Sequence, residues 1–193
     1  EIRTHLGLLD ADVEARRVPM KVGRIAQNWK NNCVAVGLSQ GFIEPLEATG
    51  LQFIQSTIVE FITAFETGQF TDVNRGRFNE RIATNFERVR DYIVLHYNTN
   101  SRNDTDYWKD NQRNPRISDV LQKMIDCWTS LGNLSEEINT LGIQQYYQSI
   151  SWHSLFAGMG IFPPAKVTND EITGEQAAAL QRLDHFLDKC AMN

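Results

Sequence analysis

Residues 37–50, Gly-Leu-Ser-Gln-Gly-Phe-Ile-Glu-Pro-Leu-Glu-Ala-Thr-Gly, hold the groups best suited to chemistry in this chain. Gly37 and Gly41 permit the backbone to approach a flat ligand closely. Pro45 stiffens the turn and biases Glu44 toward an extended conformation. Ala48, Thr49 and Gly50 then open an apolar helix, whose first N–H groups lack intrahelical partners. Those donors sit at the positive end of the helix dipole and make a nest for a small anion. Glu47 lies just outside it, where a carboxylate can act on a bound substrate. A plainer reading uses the same residues, with Thr49 as an N-cap and Glu47 as a first-turn acid that favours the dipole. Residue types and spacing leave both readings open.

Other chemistries find less support. The histidines His5, His96, His153 and His185 stand alone, with no Cys or carboxylate at ligand spacing, so no metal site is expected. Gly158-Met-Gly160 looks like a dinucleotide loop, but it follows a helical pattern and leads to Pro163-Pro164, so it reads as a helix C-cap. Cys33, Cys127 and Cys190 are odd in number and widely spaced, which suits reduced thiols in a cytoplasmic protein. The 19 basic and 24 acidic residues leave a net charge of -5, which argues against a phosphate-tracking surface and hence against nucleic acid as a partner. No apolar run reaches the roughly 18–20 residues of a membrane span. Residues 1–25 are charged throughout and carry no signal-peptide core.

The elements that must position the loop are mostly helices. Apolar residues make up 41% of the chain, enough to bury a core. Leu6, Leu9 and Val13 recur at helical spacing over residues 1–15. Residues 18–22 and 33–36 read as strands, the second as a short buried one that leads into the loop. Leu51, Ile54, Ile58, Ile62 and Phe65 predict a helix face ended by Gly68. Phe78, Ile82, Phe86, Val89, Ile93 and Tyr97 predict a longer helix, with Asp72 as its N-cap. Residues 98–115 read as an irregular polar segment around Tyr107-Trp108. Ile117, Val120, Leu121, Met124 and Trp128 give another helix, residues 132–142 a broken linker, and residues 152–158 a short apolar helix. A last helix runs from about Gln176 with Leu180, Leu183, Leu187 and Cys190 inward.

The stretch Trp29-Lys-Asn-Asn-Cys-Val-Ala-Val-Gly-Leu-Ser-Gln-Gly-Phe-Ile-Glu-Pro-Leu-Glu-Ala-Thr-Gly50 resembles the flavin-dependent tryptophan halogenase family. Three further blocks occur in the family's order: Met20-Lys-Val-Gly-Arg24, Arg90-Asp-Tyr-Ile-Val-Leu-His-Tyr97 with Asp104-Thr-Asp-Tyr-Trp108, and Ser151-Trp-His-Ser-Leu-Phe-Ala-Gly-Met-Gly160. The resemblance implies a mainly α chain with a small β portion. It would be the C-terminal fragment of an FAD-dependent, monooxygenase-like α/β protein with a helical substrate module. Residues 1–46 would end the FAD-binding module and residues 47–193 would form the substrate module. By resemblance Thr49 and Gly50 fall on halide-binding positions, Glu47 on the active-site glutamate near the substrate, and Leu38 and Leu51, beside Gly37, on positions that contact the flavin. Tyr146 and Tyr147 fall where the family sets aromatic rings against an indole, although ordinary packing beside Trp152 is an equal reading. Ala48 stands where many members carry Ser.

The activity so implied uses reduced FAD and O2 to oxidise chloride or bromide, which then halogenates an electron-rich aromatic such as tryptophan. The partners implied are an aromatic small molecule, a flavin reductase that supplies the reduced cofactor and, as an open alternative, a second copy of the chain in a homodimer. The family's Gly-rich fingerprint, its Trp-x-Trp-x-Ile-Pro motif and its essential lysine are absent from this sequence, so the chain alone is expected to be inactive. Two other readings stand beside this one. A helical interaction module would use Arg75, Arg77, Arg81 and Arg88 as a contact surface, and a flavin hydroxylase would keep the fold without the halide.

Overall fold

A computed structural model describes residues 2–14, 16, 18–113, 116–144 and 147–162, together with 174, 177, 178, 181 and 182, and at Ile2 and Glu47 it describes only the backbone. The helix expected from Gln176, Cys190 included, and the Pro163-Pro164 stop lie outside the described stretches, as does Tyr146.

Seven helices carry the described chain: α1 (Ile2–His5), α2 (Thr49–Thr67), α3 (Arg75–Asn98), α4 (Asp106–Arg113), α5 (Asp119–Thr129), α6 (Leu134–Leu141) and α7 (Ser149–Gly158). Four two-residue strands precede α2: β1 (Gly23–Arg24), β2 (Trp29–Lys30), β3 (Cys33–Val34) and β4 (Gly41–Phe42). They form two nested antiparallel pairs. The inner pair sets Trp29 opposite Val34 and Lys30 opposite Cys33, and the outer pair sets Gly23 opposite Phe42 and Arg24 opposite Gly41. Asn31, in the left-handed region at φ 52°, turns the inner hairpin. The expected buried strand over 33–36 is therefore a hairpin arm, and its Cys33 is exposed. The other expected strand is displaced as well, because Val18, Met20 and Val22 are exposed and pairing begins only at Gly23. The N-terminal helix is four residues long, and Leu6, Leu9 and Val13 stay exposed among the described residues.

Trp29 ties the hairpin to the helices. Its ring, 3% exposed, meets Phe61, Phe65 and Phe78 edge-on at centroid distances of 5.0, 6.0 and 5.9 Å. The Asn79 side chain clasps its backbone, with Oδ1 accepting from Trp29 N at 2.8 Å and Nδ2 donating to Trp29 O at 2.9 Å. Helices α2 and α3 pack as an antiparallel hairpin. Phe53 near the start of α2 meets Phe86 at 5.7 Å, while Phe61 further along meets the earlier Phe78 at 5.9 Å. Edge-on rings of this kind are worth about 0.5–1.5 kcal/mol each beyond their buried area.

The α3 stripe is as expected: Phe78, Ile82, Phe86, Val89 and Ile93 are all buried. Its N-cap is Asn74 rather than Asp72, which instead pairs with Arg75 at 2.6 Å. On α2 the buried face is Phe53 and Thr57, with Phe61, Ala64 and Phe65 behind them, and Leu51, Ile58 and Ile62 point outward at 70%, 43% and 47% exposure. The expected face holds at Phe65, which packs on Trp29, and fails at Leu51, Ile58 and Ile62: the helix has two apolar faces, and periodicity follows mostly the outer one.

Two segments expected to be irregular are helical. In α4, Trp108 stacks on Tyr97 at 5.6 Å and lies under the Arg102 guanidinium, so aromatic burial holds a helix whose polar composition reads as loop. In α6, the Asn133 side chain accepts from Glu136 N at 3.1 Å, and Gly142 ends the helix at φ 63°. Gly158-Met-Gly160 is a helix end as expected, with Gly160 at φ 72° and Ile161 N donating back to Phe156 O.

Asp91 on α3 is a buried carboxylate at 1% exposure, held by Arg88 at 3.1 Å. Burial raises its pKa above the ordinary value, and Ser118, Arg88 and Arg90 only partly offset this. A raised folded-state pKa means that the folded form keeps its proton longer than the unfolded one, so this group's contribution to stability is lost as pH rises. The stability difference between wild type and Asp91→Asn should therefore shrink as pH is raised from below about 4 toward neutrality, as followed by urea unfolding.

Candidate functional site at the start of helix α2

The chain approaches the site through tight turns. Gly37 takes φ 66°, a conformation that favours glycine, and opens a 3-10 turn over Gly37–Ser39. Gly41 is required for a different reason. A Cβ there would lie 2.6 Å from Gly23 O and 2.9 Å from Arg24 Cα, so the close β1–β4 pairing, rather than a ligand, demands its bareness. Glu44 is fixed by the Tyr97 hydroxyl, which donates to its Oε1. Burial and that neighbouring carboxylate push the Tyr97 phenol well above its ordinary value.

A second 3-10 turn, Leu46–Ala48, carries Glu47 to the helix. Ala48 then reverses the backbone at φ 54° and is the N-cap of α2, with no side-chain cap bond. Thr49 is therefore the first helical residue and not the N-cap of the plainer reading. It is 2% exposed. Its N–H donates to Leu46 O within the turn, and its Oγ1 also reaches Leu46 O at 2.7 Å. The same Oγ1 lies 2.7 Å from the Tyr147 hydroxyl. The Tyr147 ring is 7% exposed and stacks on Tyr92, with centroids 3.6 Å apart.

Above this turn lies an open cavity of about 490 Å³. Gly37, Leu38, Gly50 and Leu51 line it together, with Phe42, Pro45 and Ile54 among its walls. Four of the residues singled out in the sequence thus share one apolar space. Thr49 and Tyr147 lie outside its lining. Leu38 and Leu51, which line the same cavity, are 81% and 70% exposed. A Cβ at Gly50 would meet nothing within 4 Å, so no neighbour among the described residues requires a glycine there. Gln40 closes the cavity from below at 2% exposure. Its Nε2 donates to Thr57 Oγ1 at 3.0 Å, and its Oε1 has no hydrogen-bond partner among the described residues. Sequence reasoning passes over Gln40 because a polar residue in a Gly-rich loop reads as solvated. Phe42, Ile43 and Pro45 did carry a signal, as apolar residues inside a loop.

The competing contact surface is mostly spent. Arg75 pairs with Asp72, Arg81 with Glu60 at 2.9 Å, and Arg88 with Asp91. Among the described residues no three His, Cys, Asp or Glu gather to hold a metal, and no helix is long and apolar enough to cross a membrane.

The family model for tryptophan halogenase matches residues 2–172. The chain belongs to the tryptophan halogenase family. It is 43% identical over 127 residues to tryptophan 6-halogenase SttH of Streptomyces toxytricini, a match that covers 66% of this chain and 24% of that protein. It is 35% identical over 168 residues to 7-chloro-L-tryptophan 6-halogenase KtzR of Kutzneria sp. (strain 744), covering 85% and 31%. The crystal structure of SttH superposes with a TM-score of 0.76 at 34% identity, covering 98% of this chain and 36% of that one. BrvH, a flavin-dependent halogenase from Brevundimonas sp. BAL3, gives a TM-score of 0.65 at 36% identity, covering 81% and 30%. The chain therefore spans about a quarter to a third of the curated halogenases it matches. The fold is mainly helical with a small β portion, as part of a halogenase structure.

Gly41→Ala should disrupt the loop over residues 37–50 at its root, because the clash is with backbone that cannot swing aside. We expect a loss of about 1–3 kcal/mol in thermal unfolding. A melting temperature equal to wild type would show that the β1–β4 pairing is looser than described.

Proposed function

We propose that the protein containing this chain is a flavin-dependent halogenase acting on tryptophan or a related electron-rich aromatic. The observation that carries the proposal is the cavity shared by Gly37, Leu38, Gly50 and Leu51 at the start of α2. Its apolar walls suit one face of a flat ring system. The bare Gly50 and the unpaired Gln40 Oε1 leave, respectively, room for a ligand and an acceptor for a ligand N–H. In this reading residues 1–46 close the FAD-binding module and residues 47–193 form the substrate module. Gly37, Leu38 and Leu51 contact FAD.

When bound, reduced FAD with O2 supplies the oxidising equivalents that turn chloride or bromide into an electrophilic halogen. The chain's own residues do the positioning. The start of α2 holds the halide at Thr49 and Gly50, where the dipole favours negative charge; the Gly50 amide faces the cavity and makes the contact, while Thr49, whose N–H and hydroxyl both donate to Leu46 O, shapes the turn. Leu38 and Leu51 exclude water from the halide. Glu47, on the turn that joins the cavity to the helix, acts at the substrate carbon. By the same resemblance Tyr146 and Tyr147 would serve the aromatic substrate, although Tyr147 is itself buried against Tyr92 and outside the cavity lining. The reduced cofactor comes from a partner reductase.

The test is steady-state halogenation by the full-length protein supplied with reduced flavin. Glu47→Gln should lower turnover about a hundredfold or more while leaving flavin affinity unchanged. Unchanged turnover would return Glu47 to a helix-start acid worth about 0.3–1 kcal/mol of stability. Gly50→Ala places a methyl in open space, so folding should be preserved or improved, by about 1 kcal/mol at most. Its KM for halide should rise. An unaltered halide KM in that variant would move the halide away from Gly50.

A further inference from the structure

Thr49 reaches across the molecule to a residue 98 positions away. Its Oγ1 donates to Leu46 O at 2.7 Å, which uses its single proton. The Tyr147 hydroxyl, 2.7 Å from the same oxygen, must then be the donor to it. The direction of the relay follows: Tyr147 O–H to Thr49 Oγ1, and Thr49 O–H to Leu46 O. Every member is at least partly buried, and Thr49 and Tyr147 are 2% and 7% exposed. The Tyr147 ring is fixed in turn by stacking on Tyr92 and by an edge contact with Trp152 at 6.3 Å. Tyr92 lies on α3, and its own hydroxyl reaches Ser151 O on α7.

The receiving end is the turn that matters. Leu46–Ala48 carries Glu47 and ends at the left-handed Ala48, after which Gly50 enters the cavity. A non-glycine residue at φ 54° is held against a local penalty by its surroundings, and the relay is one of the restraints on this turn that come from outside it. The relay also turns the Thr49 hydroxyl away from the cavity, whose lining does not include Thr49.

From this we infer that Tyr147 is a positioning residue for the halide-binding turn, acting through the Thr49 hydroxyl. The inference rests on the halogenase reading for the identity of the anion. In that reading, the aromatic segment before α7 and the anion-holding start of α2 are not independent. Tyr147 fixes the Thr49 rotamer, Thr49 fixes Leu46 O, and the amide of Gly50 is presented at a set angle.

The test is halide binding to the full-length protein, read by chloride NMR line broadening so that no turnover is needed. Halogenation is measured in parallel. Tyr147→Phe keeps the ring and its stacking and removes the hydroxyl that meets Thr49. It should weaken chloride binding about two- to tenfold, the range of one lost hydrogen bond. Thr49→Val should weaken it as well, and Thr49→Ser should restore wild-type affinity. In the Tyr147→Phe, Thr49→Val double variant the penalty should equal that of Thr49→Val alone, because both changes cut one relay. Unchanged chloride affinity in a folded Tyr147→Phe variant overturns the proposal. So do penalties that multiply in the double variant, since Thr49 would then serve the anion without Tyr147. A wild-type protein that binds no chloride overturns both this proposal and the halogenase reading. One that binds chloride with the expected pattern yet halogenates nothing overturns only that reading.

Discussion

Helix α2 can hold its first turn in place only because its inner face is locked onto α3. Phe53 on Phe86 fixes the end nearest the cavity, and Phe61 on Phe78, with Trp29 packed edge-on against both, fixes the middle. Burying one such ring is worth about 1.5–3 kcal/mol, so the seam outweighs any single polar contact at the site. Trp29 does a second thing. It ties the nested hairpins to the helices, and the outer hairpin arm delivers Gly41 and Phe42 to the cavity wall. Loosening the seam would move both sides of the cavity at once.

The phase of α2 explains what the sequence could and could not say. Its apolar residues fill two stripes. One contains Phe53, Thr57, Phe61 and Phe65, and the other contains Leu51, Ile58 and Ile62. Periodicity identifies the helix and its Gly68 end but has no means of choosing the inward stripe. The buried one includes a threonine, which weakens its apolar signal. Thr57 is tolerated there because its hydroxyl donates to Phe53 O and accepts from Gln40. On α3 there was one stripe only, and it was legible. Helices α4 and α6 were hidden for a related reason, as eight-residue elements held by aromatic stacking and caps.

The site was legible in part, through residues whose role follows from local backbone. Gly37, Gly50 and the apolar helix start announce a turn that frees N–H groups, and Leu38 and Leu51 join them in one cavity. What the sequence withheld were the long-range contacts. Neither the Thr49–Tyr147 link nor the buried Gln40 has a local signature. The strained Ala48 has none either, since alanine normally signals helix interior. Such features appear only when the chain is folded back on itself.

In the proposed enzyme the start of α2 and the loop over Gly37–Ser39 form one face of a flavin and halide site. Anomalous diffraction from bromide in crystals of the flavin-bound full-length protein tests it directly. The expected result is a bromide peak in the cavity, within hydrogen-bond reach of the Gly50 amide, with the flavin ring against Leu38 and Leu51. A flavin bound in those crystals with Leu38 and Leu51 still open to solvent, and bromide absent from the start of α2, would contradict it.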